Sequence, residues 1–379
     1  MKKIKVGSDF SGVGAFDQAL KRLGINYETI FACDMDKYAR QTFIHNYSLP
    51  KYYPENVYNR EIPTEPLDIY MTSPPCQAFS LAGKRKGEDD KRGILFYNSH
   101  EFIKKNNPRY FIFENVKGLL SDDNGKTFAR WIDYLGGKSV NGNPVIFPHE
   151  ESVSYHVYHK VKNAKNYGVP QNRERVFIIG IRDDTDNNFS FPKEQPLIKR
   201  LKDVLEKNVD KKYYLSEKMI NGFINKPTKG FENRFKPLSI SDDAANCVTT
   251  NAGSRITDNY LKVKSAQTLT TSCNQGIAIG AIRGRNPDNP KSRKSGLETT
   301  QMLEINENGT SNCLTTVQKD NVVVENYRIR KLTPRECFRL MDFPETFDFS
   351  CVSDSQAYKQ AGNSIVVNVL IELIKKLKF

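Results

Sequence analysis

The sequence predicts an α/β fold with a mostly parallel sheet, and three observations carry the prediction. Short apolar segments alternate with segments of helical periodicity over residues 1–185. Near Arg182 the texture turns irregular, rich in Asn, Thr, Ser, Gly and Lys, with weak helical periodicity. Regular texture then resumes near Arg328. The spacing divides the chain into a larger α/β domain over 1–185 plus 328–379. A smaller, irregular β-rich domain over 186–327 is inserted late.

Taken in order, Ile4 to Asp9 reads as a strand and Ala15 to Leu23 as a helix. Tyr27 to Cys33 is the second strand, and Lys37 to Tyr47 the second helix, with Asp36 suited to its N-terminus. Asp68 to Thr72 is the third strand. Tyr97 to Lys105 is a helix, Arg109 to Phe113 a strand and Arg175 to Ile181 a later strand. In the irregular region, Asn246 to Thr250, Gln267 to Thr271 and Asn312 to Thr316 echo one another and read as three similar strands. Thr333-Pro334-Arg335-Glu336 is a capping box that starts a helix, and Ser364 to Leu377 is apolar at helical spacing.

Lys and Arg outnumber Asp and Glu by 57 to 44, a net charge of +13 over 379 residues. Such a surplus points to a polyanionic partner, nucleic acid ahead of an anionic membrane surface. No apolar stretch approaches a membrane span, and Met1 to Val6 runs straight into a strand without a secretory pattern. The seven cysteines include no C-x-x-C pair, so zinc spacing is absent and reduced cytosolic thiols are expected. One is expected to be chemically active and the rest to be small buried hydrophobes.

Asp9-Phe10-Ser11-Gly12-Val13-Gly14-Ala15-Phe16 joins the first strand to the first helix, a turn whose glycines let a ligand approach the backbone. A dinucleotide fingerprint needs a third glycine where Asp17 stands, which disfavours a nicotinamide oxidoreductase. Asp34 ends the second strand, where an acid can accept from ribose hydroxyls, and Asp68 is placed to receive an adenine amine. The third strand runs into Ser73-Pro74-Pro75-Cys76-Gln77, with two prolines stiffening the approach to the thiol. Glu114-Asn115-Val116 ends a strand one unit later. In Gln171-Asn172-Arg173-Glu174-Arg175, an extended chain turns Gln171, Arg173 and Arg175 to one side. A thiol, a carboxyl and two guanidiniums converge on one sheet edge.

This ordered set resembles the C5-cytosine-specific DNA methyltransferase family of prokaryotic or phage type. Asp9 to Phe16, Pro75-Cys76-Gln77 and Asp90 to Phe96 are similar to its successive motifs. So are Glu114-Asn115-Val116, Gln171 to Arg175, Arg330 to Cys337 and Gln360-Ala361-Gly362-Asn363-Ser364. Two departures stand out: Asp34 where the family more often has Glu, and Met35 where many members place an aromatic.

The resemblance implies a Rossmann-like, S-adenosylmethionine-dependent methyltransferase domain with an inserted target-recognition domain. It implies methyl transfer to carbon 5 of a cytosine flipped out of duplex DNA. Cys76 would attack carbon 6, a protonated Glu114 would donate to N3, and Arg175 would bind O2. Arg173 would hold a phosphate or stabilise the thiolate. Asp9, Phe10, Gly12, Gly14, Asp34, Met35, Asp68, Pro75, Asn363 and Ser364 would bind the methyl donor, and no metal is required. Lys84, Arg85, Lys86 and Arg92, on a basic loop expected to close over the base, would meet phosphates; Arg283 and Arg285 would read bases. The implied partner is double-stranded DNA, with a cognate restriction endonuclease in no stable complex. The chain is expected to act as a monomer in the cytosol or nucleoid. A tRNA-methylating branch shares these motifs, but the size of the inserted domain favours DNA. A catalytically inactive DNA-binding relative is disfavoured by Cys76, Glu114 and Arg175.

Overall fold

The computed structural model describes residues 3–75, 95–216, 238–239, 242–250, 259–264, 277–285, 300–305, 322–325 and 327–379. The chain divides into two compact units. The larger comprises Met1–Val209, Ser241–Asn259 and Leu332–Phe379; the smaller comprises Asp210–Ile240 and Tyr260–Lys331. Residues 186–209 and 241–259 thus group with the larger unit, where composition had put them in the smaller. The reason is local packing. Leu201 and Val204 are buried, the Glu206 amide donates to Glu336 Oε1 at 2.8 Å, and the Asn172 amide donates to Ala245 O at 2.9 Å.

Among its described residues the larger unit is built on eight strands: β1 (Ile4–Asp9), β2 (Tyr27–Cys33), β3 (Ile69–Thr72), β4 (Tyr110–Val116), β5 (Ser139–Val140), β6 (Asn143–Pro144), β7 (Tyr155–Asn163) and β8 (Glu174–Arg182). Their order is β2-β1-β3-β4-β8-β7-β5-β6. The first four are parallel to their neighbours, but β8 is antiparallel to both β4 and β7. The sheet is therefore mixed, not mostly parallel. The link from β7 to β8 is a 3₁₀ turn (Ala164–Tyr167) and a short extended segment, with no crossover helix to bring β8 back parallel.

Among the described residues, seven α-helices pack around it: α1 (Ala15–Arg22), α2 (Lys37–Asn46), α3 (Leu95–Asn106), α4 (Lys126–Leu135), α5 (Pro334–Leu340), α6 (Asp354–Asn363) and α7 (Val367–Ile374). Every residue of β3 is buried, as expected of a strand covered on both faces. The core on one side is aromatic. Phe96 stacks on Trp131 with centroids 4.3 Å apart, and Phe113 lies 5.3 Å from the same indole. Helix starts follow capping chemistry. Asp36 accepts from the Tyr38 and Ala39 amides, and Thr333 and Glu336 form a reciprocal box.

The smaller unit carries two three-stranded sheets. One orders Tyr327–Lys331 (β14), Tyr260–Lys264 (β10) and Leu238–Ser239 (β9). The other orders Thr300–Ile305 (β12), Ile277–Arg285 (β11) and Val322–Glu325 (β13). The expected strands at the three Thr-rich echoes fare differently. Residues 246–250 form no strand and belong to the larger unit; 267–271 and 312–316 lie outside the described residues. Among the described residues, no helix is long and apolar enough to cross a membrane.

Candidate active site

The carboxyl ends of β1, β2, β3 and β4 share one edge of the sheet, where a doubly covered α/β fold receives its ligands. The chain leaves β1 through Phe10, a non-glycine residue at φ 55°, a conformation that costs energy and persists where structure demands it. Gly12 (φ 54°) has nothing within 4 Å of where a Cβ would stand, so its backbone faces open space. Gly14 (φ 83°) presses on the Tyr47 ring, and any side chain there would collide with it. Asp34 ties this turn to the next. Its Oδ2 accepts from the Gly12 amide and its Oδ1 from the Asp36 amide, both at 2.8 Å. Met35 beside it is 84% exposed.

Asp9 is 1% exposed. Its Oδ2 accepts from Arg60 at 2.6 Å and from the Tyr70 hydroxyl at 2.5 Å, while Oδ1 is buried without a partner. Burial pushes its carboxyl up to about 6, against the pull of the Arg60 guanidinium. Arg60 stands far along the chain from Asp9, and sequence spacing gave no sign of the pair. A buried orphan acceptor, an open glycine backbone and an exposed apolar side chain beside a carboxylate fit a small cationic nucleoside such as S-adenosylmethionine. Asn363 is exposed at the end of α6, and that helix is tied to α2 through Gln360–Thr42 (3.1 Å) and Lys359–Asp36 (2.6 Å). Ser364 is buried, its carbonyl accepting from Arg173.

Asp68 does not join this group. It precedes β3 at the amino edge of the sheet, and its Oδ2 accepts from the Lys5 amide at 2.8 Å. Asp9 and Thr72 pair at the opposite edge, four residues on, roughly 13 Å away at strand rise. The expected contact of Asp68 with an adenine amine is therefore withdrawn; the carboxylate serves strand pairing instead.

At the other end of the same edge, Glu114 on β4 faces Arg175 on β8. Glu114 Oε1 lies 3.1 Å from Arg175 Nε, with both side chains largely covered. Burial raises the Glu114 carboxyl, opposed by Arg175 and Arg173. Next to it, Asn115 Nδ2 reaches the Pro74 carbonyl at 3.5 Å, tying the end of β4 to the diproline. Pro75 is half-buried and is the last described residue before Cys76. Cys76, Lys84, Arg85, Lys86 and Arg92 lie outside the described residues, and only the backbone of Arg283 and Arg285, on β11, is described.

Arg173 corrects a further expectation. Its Nη2 donates to Gly362 O (3.1 Å) and Ser364 O (2.8 Å), its Nη1 to Val248 O (3.2 Å) and Cys247 Sγ (3.1 Å). It is 4% exposed, so it clamps two segments, 247–248 and 362–364, and is covered from a phosphate. Gln171, expected on the same side, reaches the same segment: its Oε1 accepts from the Val248 amide at 3.0 Å. Gly362 belongs to this junction, because a Cβ there would stand 2.5 Å from the Thr249–Thr250 backbone.

A family model described as C-5 cytosine-specific DNA methylase matches residues 4–379. The chain belongs to that family. It is accordingly an enzyme of the DNA (cytosine-5)-methyltransferase class. It is 34% identical to the type II methyltransferase M.HpaII of Haemophilus parainfluenzae, over 97% of this chain and 87% of that protein. It is 30% identical to the orphan methyltransferase M.SPRI of Bacillus phage SPR, over 100% of this chain and 98% of that protein. Among solved structures, the S. pombe Dnmt2 methyltransferase superposes with a TM-score of 0.63 at 16% identity. That match covers 98% of this chain and 97% of the other, and it speaks for the shared fold. The methylase family uses S-adenosylmethionine as methyl donor.

Proposed function

We propose that this methylase modifies carbon 5 of a cytosine flipped out of a specific duplex DNA sequence, through a transient bond from Cys76 to carbon 6. The observation that carries the reading is the Glu114–Arg175 pair, a buried acid held by a cation at the sheet edge the diproline reaches. S-adenosylmethionine supplies the electrophilic methyl group when bound. The chain does the rest. The Cys76 thiolate adds to carbon 6, breaking the 5,6 double bond and pushing its electron pair toward carbon 5. Glu114, whose carboxyl burial raises against the pull of Arg175 and Arg173, donates a proton to N3 and relieves the charge that accumulates on the ring. Arg175 holds O2 and orients the base. After carbon 5 is methylated, a base takes the carbon 5 proton, the double bond re-forms as Cys76 leaves as thiolate, and N3 returns its proton to Glu114.

Extracting the base costs a few kcal/mol, which contacts with the phosphates must offset. The net charge of +13 and the basic segment containing Lys84, Arg85, Lys86 and Arg92 support that contribution. Reading of the sequence is assigned to the inserted unit, with Arg283 and Arg285 on β11 as readers. The reading gives the chain a cytosolic or nucleoid setting and duplex DNA as partner. As for relatives named type II methyltransferases, a cognate restriction endonuclease would be the activity its methylation counters. Bisulfite sequencing of plasmid from cells expressing the protein tests this directly. A protected cytosine in one recurring sequence, lost with Cys76→Ala, is expected. Methyl transfer to tRNA in place of duplex DNA would overturn the substrate assignment.

A further inference from the structure

Cys247 stands on a segment pinned against the turn that precedes β8. The Ala245 amide donates to Pro170 O at 2.9 Å, the Asn172 amide returns the bond to Ala245 O, and the Val248 amide donates to Gln171 Oε1. Its sulfur is therefore fixed in place. Arg173 Nη1 lies 3.1 Å from that sulfur, and the charge of nearby Arg175 acts on the same thiol. Arg175 in turn holds Glu114 through Nε at 3.1 Å. The sulfur bonds one guanidinium, the acid pairs with the other, and both guanidiniums act on the acid.

This arrangement addresses a conflict in the chemistry. Two guanidiniums near a buried carboxyl favour its ionised form, while donation to a base needs the protonated form. A polar or anionic group that engages the same guanidiniums draws their charge away from the acid. We propose that Cys247 is a positioning residue of the methyl-transfer centre, its sulfur engaging Arg173 beside the Arg175–Glu114 pair so that Glu114 remains free to donate to the target base. The inference rests on Glu114 being the donor, as argued above. The thiol suits the role. Burial raises it, but the two guanidiniums outweigh burial and hold it below its ordinary value. Among the described residues, Arg175 and Arg173 are the charged groups that act on the acid, with Cys247 on Arg173 and Lys162 of β7 beside both arginines. Lys162 shares a small cleft with both arginines and donates to Pro192 O at 3.3 Å.

The test uses the full-length enzyme with Cys247→Ala and Cys247→Ser, measuring kcat and KM for duplex DNA across the pH range of activity. The Ala variant should lose about tenfold in kcat with little change in KM, and its high-pH limb should move to lower pH as Glu114 gives up its proton more easily. The Ser variant, which keeps a polar acceptor without the charge, should fall between Ala and native. An unmoved limb with native kcat in the Ala variant overturns the proposal, as does a Ser variant no better than Ala. Should the Ala variant not fold, the Ser variant decides alone, and an unmoved limb counts against the role. A native enzyme that forms no covalent adduct with 5-fluorocytosine DNA strikes the proposed function itself. An adduct together with an unmoved limb strikes this inference alone.

Discussion

In the proposed reaction, Glu114 is the side chain on which the chemistry turns. It combines burial, which favours the proton, with an arginine 3.1 Å away, which opposes it. Replacing it by Gln keeps the shape and removes the transferable proton. We expect Glu114→Gln to slow single-turnover methylation by about a hundredfold or more while S-adenosylmethionine binding stays near native. Near-native turnover would mean that another group charges N3. A second residue-scale prediction concerns Asp17, buried in α1 with Thr29 donating to it at 2.6 Å and no cation paired with it. Burial pushes its carboxyl up to about 6 from an ordinary 3.8. A raised carboxyl binds its proton more tightly when folded, so the stabilisation is full below pH 3.8 and lost as pH rises through about 6. The loss amounts to at most roughly 3 kcal/mol. Asp17→Asn should flatten urea stability across that window, and an unchanged slope would contradict the assignment.

At the scale of elements, much was legible in the sequence because local chemistry sets it. The bounds of β1 and β2 were read as they stand, and so were the Asp36 cap and the Thr333–Glu336 box, since alternation and capping need only near neighbours. Glu114 and Arg175 were legible because each lies beside a strand end that periodicity marks. Asp68 was misplaced because composition does not say which end of a short strand faces the ligand edge. Arg173 and Asp9 were only half legible, since their partners Gly362, Ser364 and Arg60 are remote in sequence and fixed by tertiary packing. The same remoteness hid Cys247 within a stretch whose texture resembles the inserted unit. The junction that holds it makes a prediction of its own. Gly362→Ala places a methyl group 2.5 Å from the Thr249–Thr250 backbone. It should cost about 1–3 kcal/mol, read as a lowered urea midpoint, and a neutral effect would mean the two segments separate readily.

In the whole molecule, the glycine turn held by Asp34 and the acid–arginine pair lie on one sheet, and positive charge is in excess along the chain. DNA affinity should fall steeply with salt, on the order of a hundredfold between 50 and 200 mM if about four phosphates are neutralised. A flat response would remove the phosphate contacts from the account. The most direct measurement uses duplex carrying 5-fluorocytosine at the methylated position, incubated with the enzyme and S-adenosylmethionine. Fluorine at carbon 5 cannot depart as a proton does, so the bond between Cys76 and carbon 6 should persist as a denaturant-resistant adduct. That adduct should map to Cys76 and be absent from Cys76→Ala. Methylation that proceeds with no such adduct, or an adduct mapping to another residue, would contradict the central claim.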